Sequence, residues 1–376
     1  MNKKQNTTII IVVISVLLVI ALCVFAYFII QRNKPVEKTE EVNKVVATPT
    51  PTPEDNAKTW RGNNRPLAVM IDNQSGARPQ AGLNNAELVY EIIVEGGLTR
   101  YMAVFKNASL DQIGQIRSAR HYFLDYALEN DAIYVHYGWS PQAESDIKTL
   151  KVNNINGLTE ATSTRKGESP FWRISEKEAP HNVMSSTSEM KRIAQTDNYS
   201  LESDKKSVLN YTSKTVNLMD DPTAKDCEKV TIPFSEYTTT SFEYDSITKR
   251  YTKFEDGKKL IDFNTKDDLT TKNIIVVKVK NTDLNDGSGK GRQEIDNIGT
   301  LEGWYITNGK AIEITASKAS RTDQTVYKNS KGQEIKVNDG NTFIIMCPTT
   351  SDVTIEGESS NTAAANALST VDNSGN

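Results

Sequence analysis

Residues 87–106, ELVYEIIVEGGLTRYMAVFK, decide how the first half of the chain folds. Two apolar runs rich in β-branched and aromatic residues, Glu87–Val94 and Leu98–Lys106, flank the pair Gly96-Gly97. Residues of this kind favour strands, and adjacent glycines supply the backbone freedom that a tight turn needs. The pattern therefore predicts a β-hairpin.

More strands and several helices surround this hairpin. Leu67–Asp72 (LAVMID) is typical of a buried strand that ends in polar residues, and Ala132–Tyr137 is typical of another. Apolar stripes and helix-start residues predict three helices, over Ser118–Asn130, Pro141–Leu150 and Thr187–Gln195. Because strands and helices alternate, we predict an α+β or α/β domain over residues 60–200.

The second half consists of strand-like segments with hardly any helical pattern. The pair Asn308-Gly309 between two apolar runs is a strong signal for a type I′ hairpin turn, and Asp256-Gly257 is a second. We therefore predict a mostly antiparallel β domain over residues 225–348.

Charge and composition narrow the class of protein. Lys and Arg total 44 against 48 Asp and Glu, a balance that argues against a dedicated nucleic-acid binder. Three cysteines and three histidines exclude a four-cysteine zinc site and leave little room for a histidine-rich one, so we predict no metal and no cofactor. Cys227 and Cys347 are compatible with a disulfide or with two buried free thiols.

The first residues predict attachment to a membrane. Ile9–Ile30 is an apolar run of the length that spans a bilayer, so we predict a single transmembrane anchor over 9–30 after a cytoplasmic tail over 1–8. Lipidation at Cys23 is the alternative, although Leu22 fits a lipidation signal poorly. A Thr/Pro-rich linker over 31–59 and a disordered tail over 351–376 complete the organisation. The bulk of the chain is then extracytoplasmic.

Most of the arginines lie in the first half of the foldable chain, where we expect a binding site. Nine of the 13 arginines and all three histidines lie between residues 60 and 200. Arg117, Ser118 and Arg120 flank the predicted start of a helix, where cationic side chains are unfavourable unless an anion binds there. This predicts an anion site to which Arg100 contributes. The alternative is that these arginines pair with nearby carboxylates.

Three carboxylates are candidates for acid/base chemistry. Glu91 and Glu95 are four residues apart on a predicted strand and would face the same side. Asp72 and Asn73 follow a buried strand, where open α/β sheets place their sites. These residues are equally compatible with partners for arginine and with a turn.

Two histidines complete the candidate set. His136 interrupts an apolar strand, a position more typical of a hydrogen-bonded core residue than of a catalyst. His181 lies with Arg173 in a loop-like stretch whose mixture of Arg, His and aromatic residues indicates ligand contact.

Many short motifs, in the same order, resemble the YerB-type bacterial lipoproteins. They are Arg65–Asn73, Ala77–Leu83, Tyr90–Arg100, Arg117–Arg120, Ala179–Asn182, Phe242–Asp245, Asn273–Val276 and Asn308–Lys310. The resemblance covers residues 60–348. It implies two adjacent domains of unassigned function, exported and membrane-attached in Gram-positive-type bacteria, and it supplies no catalytic residues.

These observations lead to three hypotheses. The first is a membrane-anchored envelope protein that binds an anionic polymer through Arg117, Ser118 and Arg120, with Arg100, Arg173 and Asn73 nearby. The second is an envelope hydrolase or transferase with Asp72, Glu91 or Glu95 as acid/base and His136 or His181 as proton shuttle. The third is a scaffold whose β domain docks a protein partner.

Overall fold

The computed structural model describes residues 19–27, 29 and 56–357, and the chain divides into the units Met1–Glu54 and Asp55–Asn376. In the first unit, residues 19–27 and 29 are helical. Among the described residues, no helix is long and apolar enough to cross a membrane. The rest of the predicted anchor, the tail over 1–8 and most of the predicted linker lie outside the described residues.

Strands dominate residues 56–357 and are numbered β1 to β24 in chain order. A twelve-stranded sheet contains β1 (Leu67–Asp72), β2 (Leu88–Ile93), β3 (Thr99–Phe105), β5 (Ile133–His136), β6 (Asn154–Asn156), β11 (Lys225–Asp226), β17 (Asn273–Asp283), β18 (Gln293–Asp296), β19 (Gly299–Thr307), β20 (Lys310–Lys318), β21 (Val326–Asn329) and β23 (Thr342–Pro348). A six-stranded sheet contains β12 (Lys229–Pro233), β13 (Thr239–Asp245), β14 (Arg250–Glu255), β15 (Lys258–Lys259), β16 (Thr270–Thr271) and β24 (Thr354–Glu356).

Two smaller sheets and a few helices complete the described fold. The four-stranded sheet contains β4 (Ile113–Gly114), β7 (Thr162–Ser163), β8 (Phe171–Arg173) and β9 (Val183–Ser185), and the two-stranded sheet contains β10 (Asn210–Thr212) and β22 (Lys336–Asn338). The α-helices in residues 56–357 are α1 (Phe123–Glu129), α2 (Pro141–Thr149) and α3 (Thr187–Thr196). Short 3-10 turns lie at Ser75–Ala77, Leu83–Asn85, Glu95–Gly97 and Leu218–Asp220.

The predicted hairpin is confirmed. Strands β2 and β3 pair antiparallel, and β1 pairs antiparallel with the other edge of β3. Gly96 and Gly97 both have positive φ, as the connecting turn requires. Every residue of the three strands is buried, so this part of the sheet is the centre of the core.

The first and second halves of the chain share the large sheet. Strand β23, near the end of the described chain, runs parallel between β2 of the first half and β17 of the second. Its seven residues are all buried. Since parallel neighbours need long connections, only the fold of nearly the whole chain can bring these strands together. One hydrophobic core cluster accordingly draws on both halves.

Two of the predicted helices are confirmed and one is wrong in its start. Helix α2 carries Pro141 in its first turn and is capped by Ser140, and Ser186 caps α3 by accepting from the Glu189 N–H. Helix α1 begins at Phe123 rather than Ser118 and has no side-chain cap. The reason is that residues 115–119 pair as extended backbone with neighbouring strands.

The second half is mostly antiparallel, as predicted. Asn308-Gly309 and Asp256-Gly257 have positive φ at both residues, which confirms the two turns. Cys227 and Cys347 are buried free thiols, and burial raises the pKa of Cys347 to about 11.

Both ends of the folded part extend beyond the predicted limits. The disordered tail predicted over 351–376 is wrong in its first residues, because β24 pairs with β12 and Ile355 packs on the core. At the other end, the backbone N–H groups of Lys58 and Thr59 donate to the Asp339 carboxylate. The predicted linker over 31–59 therefore includes residues that belong to the fold.

Candidate functional site

The end of strand β1 organises a cleft. Asp72 pairs with Arg100 of β3 in the sheet register, and its N–H donates to Gln115 O at 2.8 Å. The N–H of Arg117 donates to Met70 O at 3.0 Å, so residues 115–117 run along the end of β1. This pairing holds Asp72, Arg100 and Arg117 next to one another.

Two ion pairs connect the arginines to carboxylates. Arg120 binds Glu95 through both ends of its guanidinium, with Nε–Oε1 at 2.5 Å and Nη2–Oε2 at 2.9 Å. Arg117 Nε lies 2.9 Å from Asp72 Oδ2, but this buried N–H is not aligned to form a hydrogen bond. The alternative expectation, that these arginines meet nearby carboxylates, is therefore confirmed. Arg117 nevertheless keeps a buried donor without an acceptor, which is a costly arrangement.

The cleft that these residues line has a volume of about 460 Å³ and carries an excess of positive charge. Its charged lining consists of Arg100, Arg117, Arg120, Lys290 and Arg292 against Asp72 and Glu95. Ser118, Trp139 and Ser140 also line it. Five cations around two carboxylates form a positive concavity, which attracts anions.

Burial and the closely spaced cations shift the pKa values of Arg100 and Glu95. Burial and the neighbouring charge of Arg120 lower the pKa of the Arg100 guanidinium to about 10. Although burial opposes the effect, the hydrogen bond and charge of Arg120 hold the pKa of Glu95 below its ordinary value. Arg100 forms a long ion pair with Glu95, in which Nη2 and Oε2 are 3.9 Å apart. Its Nη1 donates a hydrogen bond to the Ser118 carbonyl oxygen. An added negative charge would therefore stabilise the cluster.

The predicted helix-start cradle is wrong. Helix α1 starts three residues beyond Arg120, and the Ser118 hydroxyl donates to Tyr137 O at 3.1 Å. The side chains of Arg117 and Arg120 still line one cleft, but strand ends and a turn place them there.

Asp72 and His181 come together at the edge of the cleft. His181 Nδ1 lies 2.7 Å from Asp72 Oδ2, the same oxygen that Arg117 approaches. This contact is the only one that joins a predicted histidine to a predicted carboxylate among the described residues. Asn73 is turned away from the cleft, since its amide donates to Thr99 Oγ1 at 2.7 Å and to Glu91 Oε1 at 3.3 Å.

Glu91 and Glu95 do not face one another. Strand β2 ends at Ile93, and Glu95 belongs to the turn that follows. Glu91 is fully buried and binds Lys253 Nζ at 3.0 Å, whereas Glu95 binds Arg120. Burial raises the pKa of Glu91 to about 7. The predicted pair of same-face carboxylates is therefore wrong.

His136 is a core residue in the described fold. Its Nδ1 lies 2.9 Å from Gly138 O and its Nε2 lies 3.1 Å from Asn154 Oδ1. Burial lowers the pKa of this imidazole. Both ring nitrogens are occupied, so the ring fixes the loop after β5.

Arg173 lies in a second depression beside the cleft, where its guanidinium is 5.3 Å from the Tyr137 ring centre. It is part of strand β8, and its neighbours Phe171 and Trp172 are buried, so they are core residues rather than ligand contacts. No group of three or more His, Cys, Asp or Glu side chains is placed to hold a metal ion in the part of the chain that the structure describes.

Sequence reasoning missed Lys290 and Arg292, which reach the cleft from a distant segment. They lie on the loop 284–292 between β17 and β18, called here the arm. A glycine-rich sequence indicates a flexible turn but not where the turn goes. The one available signal was Arg292 itself, because the second half has few arginines.

The fold and sequence define a class of bacterial proteins with two adjacent domains whose function is not known. Residues 50–200 match the family model described as "Protein of unknown function (DUF3048) N-terminal domain", and residues 230–344 match the corresponding C-terminal domain. The chain belongs to this family.

YerB of Bacillus subtilis (strain 168), a candidate lipoprotein, is 28% identical over 325 residues, which cover 86% of this chain and 89% of the relative. The crystal structure of the YerB protein from Bacillus subtilis matches with a TM-score of 0.66 and 26% identity, over 78% of this chain and 94% of that one. The resemblance seen in the sequence is confirmed.

Proposed function

We propose that this protein binds an anionic ligand of the cell envelope in the cleft lined by Arg100, Arg117, Arg120, Lys290 and Arg292. The observation that carries the proposal is the excess of cationic over anionic side chains in the lining, where five cations surround Asp72 and Glu95. Guanidinium groups bind carboxylate and phosphate oxygens with two aligned hydrogen bonds. An anion would add acceptors for these guanidinium groups and reduce the repulsion among the cations.

The proposed location is the outer face of a bacterial membrane. The relative YerB is a candidate lipoprotein, and the apolar run Ile9–Ile30 is long enough to anchor this chain directly. Either a membrane helix or a lipid on Cys23 would hold the folded part next to envelope polymers, of which many are anionic. We favour the helix because Leu22 fits a lipidation signal poorly.

The binding test uses the full chain in a zwitterionic detergent, with inorganic phosphate, pyrophosphate and citrate as probes. We expect each anion to raise the melting temperature, because a ligand that binds only the folded state stabilises it by mass action. The double variant Arg117→Gln/Arg120→Gln should lower anion affinity at least tenfold, about 1.4 kcal/mol or more.

Arg192→Gln is the matched control, because Arg192 is an exposed arginine on α3 that pairs with Glu189 and lies outside the cleft. It should bind all three probes like the wild type. Equal affinity of the double variant and this control would contradict the proposal, as would the absence of any anion effect on the wild type.

A further inference from the structure

We propose that the ligand is an acidic carbohydrate, whose anionic group lies among the arginines while a sugar ring stacks on Trp139. This inference rests on the proposed function and specifies its ligand class. Carboxylated and phosphorylated sugars share the required chemistry, which is a negative charge next to a ring with one apolar face.

A second depression adjoins the cationic cleft. This depression has a volume of about 310 Å³ and shares Arg117, Ser118 and Trp139 with the cleft. Its other lining residues are Ile116, Tyr137, Gly138, Leu158, Arg173 and Pro180. A ligand longer than a simple anion can therefore extend from one depression into the other past the indole of Trp139.

Backbone pairing fixes the two depressions side by side. Tyr137 N–H donates to Arg117 O at 2.9 Å, and Ala119 N–H donates to Gly138 O at 2.9 Å. Paired strands lie about 4.8 Å apart, so Trp139 stands about one strand spacing from the segment that carries Arg117 and Arg120. The indole and the guanidinium groups therefore border adjoining depressions, as the ring and the charge of one ligand require.

The Trp139 ring packs on His136 and is partly exposed to solvent. The two ring centres lie 5.7 Å apart, and hydrogen bonds hold that histidine in place. The indole itself is only half-buried. Gly138 keeps the neighbouring floor open, because a Cβ there would lie 3.1 Å from Leu158 and 3.2 Å from Ser118 Oγ.

The chemistry around Trp139 suits a sugar better than a purely apolar group. Leu158 is a large apolar side chain with 60% exposure beside the indole, which extends the surface for the C–H face of a ring. Arg173 and Ser118 place polar groups at the rim, where ring hydroxyls would lie. Aromatic side chains with an apolar face and polar neighbours are typical of such amphipathic contacts.

The test compares four probes on the full chain in a detergent that carries no sugar. Oligogalacturonate supplies carboxylated sugars, glucose 6-phosphate supplies a phosphorylated sugar, chitohexaose is neutral, and inorganic phosphate has no ring. We expect at least one acidic sugar to bind tenfold or more tightly than both chitohexaose and inorganic phosphate. Which of the two binds identifies the acidic group.

The variant Trp139→Leu should lower acidic-sugar affinity about tenfold and leave inorganic phosphate affinity unchanged. Trp304→Leu is the matched control, because Trp304 is a half-buried tryptophan on β19 outside both depressions. Leu158→Asn, an uncharged change at an exposed position, should also weaken acidic-sugar binding while phosphate binding persists, and it is the second test if Trp139→Leu does not fold.

Three outcomes separate the inference from the proposed function. The carbohydrate inference alone is overturned if phosphate binds but acidic sugars bind no more tightly than phosphate. It is also overturned if acidic sugars bind the folded Trp139→Leu or Leu158→Asn variant as tightly as the wild type. A wild type that binds neither inorganic phosphate nor acidic sugars overturns both.

Discussion

Glu95 occupies the position that a ligand anion would need. Its two carboxylate oxygens bind the Arg120 guanidinium in the geometry that an incoming carboxylate or phosphate would adopt. Arg100 also approaches it, at 3.9 Å. Binding would therefore proceed by exchange, in which the ligand takes over part of the contact that Glu95 makes in the free protein.

The variant Glu95→Gln should bind inorganic phosphate about threefold to tenfold more tightly, because it removes a competing charge from an interaction of about 1 kcal/mol. It should also be less stable at neutral pH. Since the arginines lower the pKa of Glu95, its ion pairs stabilise the fold above the ordinary value of 4.5 and lose that effect as the pH falls through the lowered pKa.

Calorimetric titration and melting curves at pH 7 and pH 4 would test both statements. The stability difference from the wild type should shrink at pH 4. Glu189→Gln, which changes a half-buried carboxylate paired with Arg192 outside the cleft, should leave phosphate affinity unchanged. Weaker phosphate binding by Glu95→Gln would show that Glu95 orients the arginines rather than competing with the ligand.

Local sequence predicted a strand or helix correctly where its bounds depend on nearby apolar residues or on a capping residue. LAVMID forms a strand over the predicted residues, and Ser186 caps its helix, because both signals lie within a few residues. The stretch around Ser118 also carries a helical pattern, yet its backbone pairs with β1 and with residues 137–138 instead. That competition depends on partners distant in sequence, which no local pattern reveals.

The position of the arm in the candidate site could not be predicted from local sequence either. It joins β17 to β18, and its Leu284 N–H donates to Arg292 O at 2.7 Å, which closes the loop. Gln142 of α2 donates to Asp286 Oδ2 at 3.2 Å, so the arm touches the first half of the chain. A strand pattern predicts that a loop exists, but only the folded sheet determines that this loop delivers two cations to the cleft.

The double variant Lys290→Gln/Arg292→Gln should lower phosphate affinity about threefold to tenfold and reduce its salt dependence, because two cations leave the cleft. Stability should also fall, by about 1 kcal/mol, because the Arg292 side chain is largely buried and pairs with Asp286. Titrations at two salt concentrations, with Lys258→Gln on exposed β15 as control, would measure this. Unchanged phosphate affinity would mean that the arm lines the cleft without contributing to binding.

At the scale of the molecule, the two family domains are joined by their strands and by buried charge. Sequence composition predicted an α/β half and a β half, but it could not predict that β23 completes the sheet of the first half, since strand order depends on the whole topology. Beside this junction lies a fully buried cluster. Lys253 Nζ binds Glu91 of the first half at 3.0 Å and Glu255 of the second at 2.9 Å.

The cluster holds two carboxylates around one ammonium group, with Arg78 4.0 Å from Glu255, and the burial of Glu91 makes its contribution to stability depend on pH. Burial raises the pKa of Glu91 to about 7, and the charge of Lys253 acts against that rise. Between pH 4.5 and 7 the folded state therefore binds a proton that the unfolded state releases, so the stability contributed by Glu91 decreases as the pH rises through this window.

Removal of Lys253 should intensify this dependence. Lys253→Met leaves Glu91 buried without its cation and Glu255 with only the 4.0 Å approach of Arg78, which costs about 3–5 kcal/mol. At pH 8 we expect the melting temperature to fall by roughly 10 °C. At pH 5.5 the loss should be much smaller, because Glu91 without its cation takes up a proton more readily and the buried repulsion disappears. Lys259→Met, at an exposed lysine of the same sheet, should have little effect at either pH. An equal loss for Lys253→Met at both pH values would mean that Lys253 contributes packing against the Phe242 ring, 5.0 Å away, rather than charge.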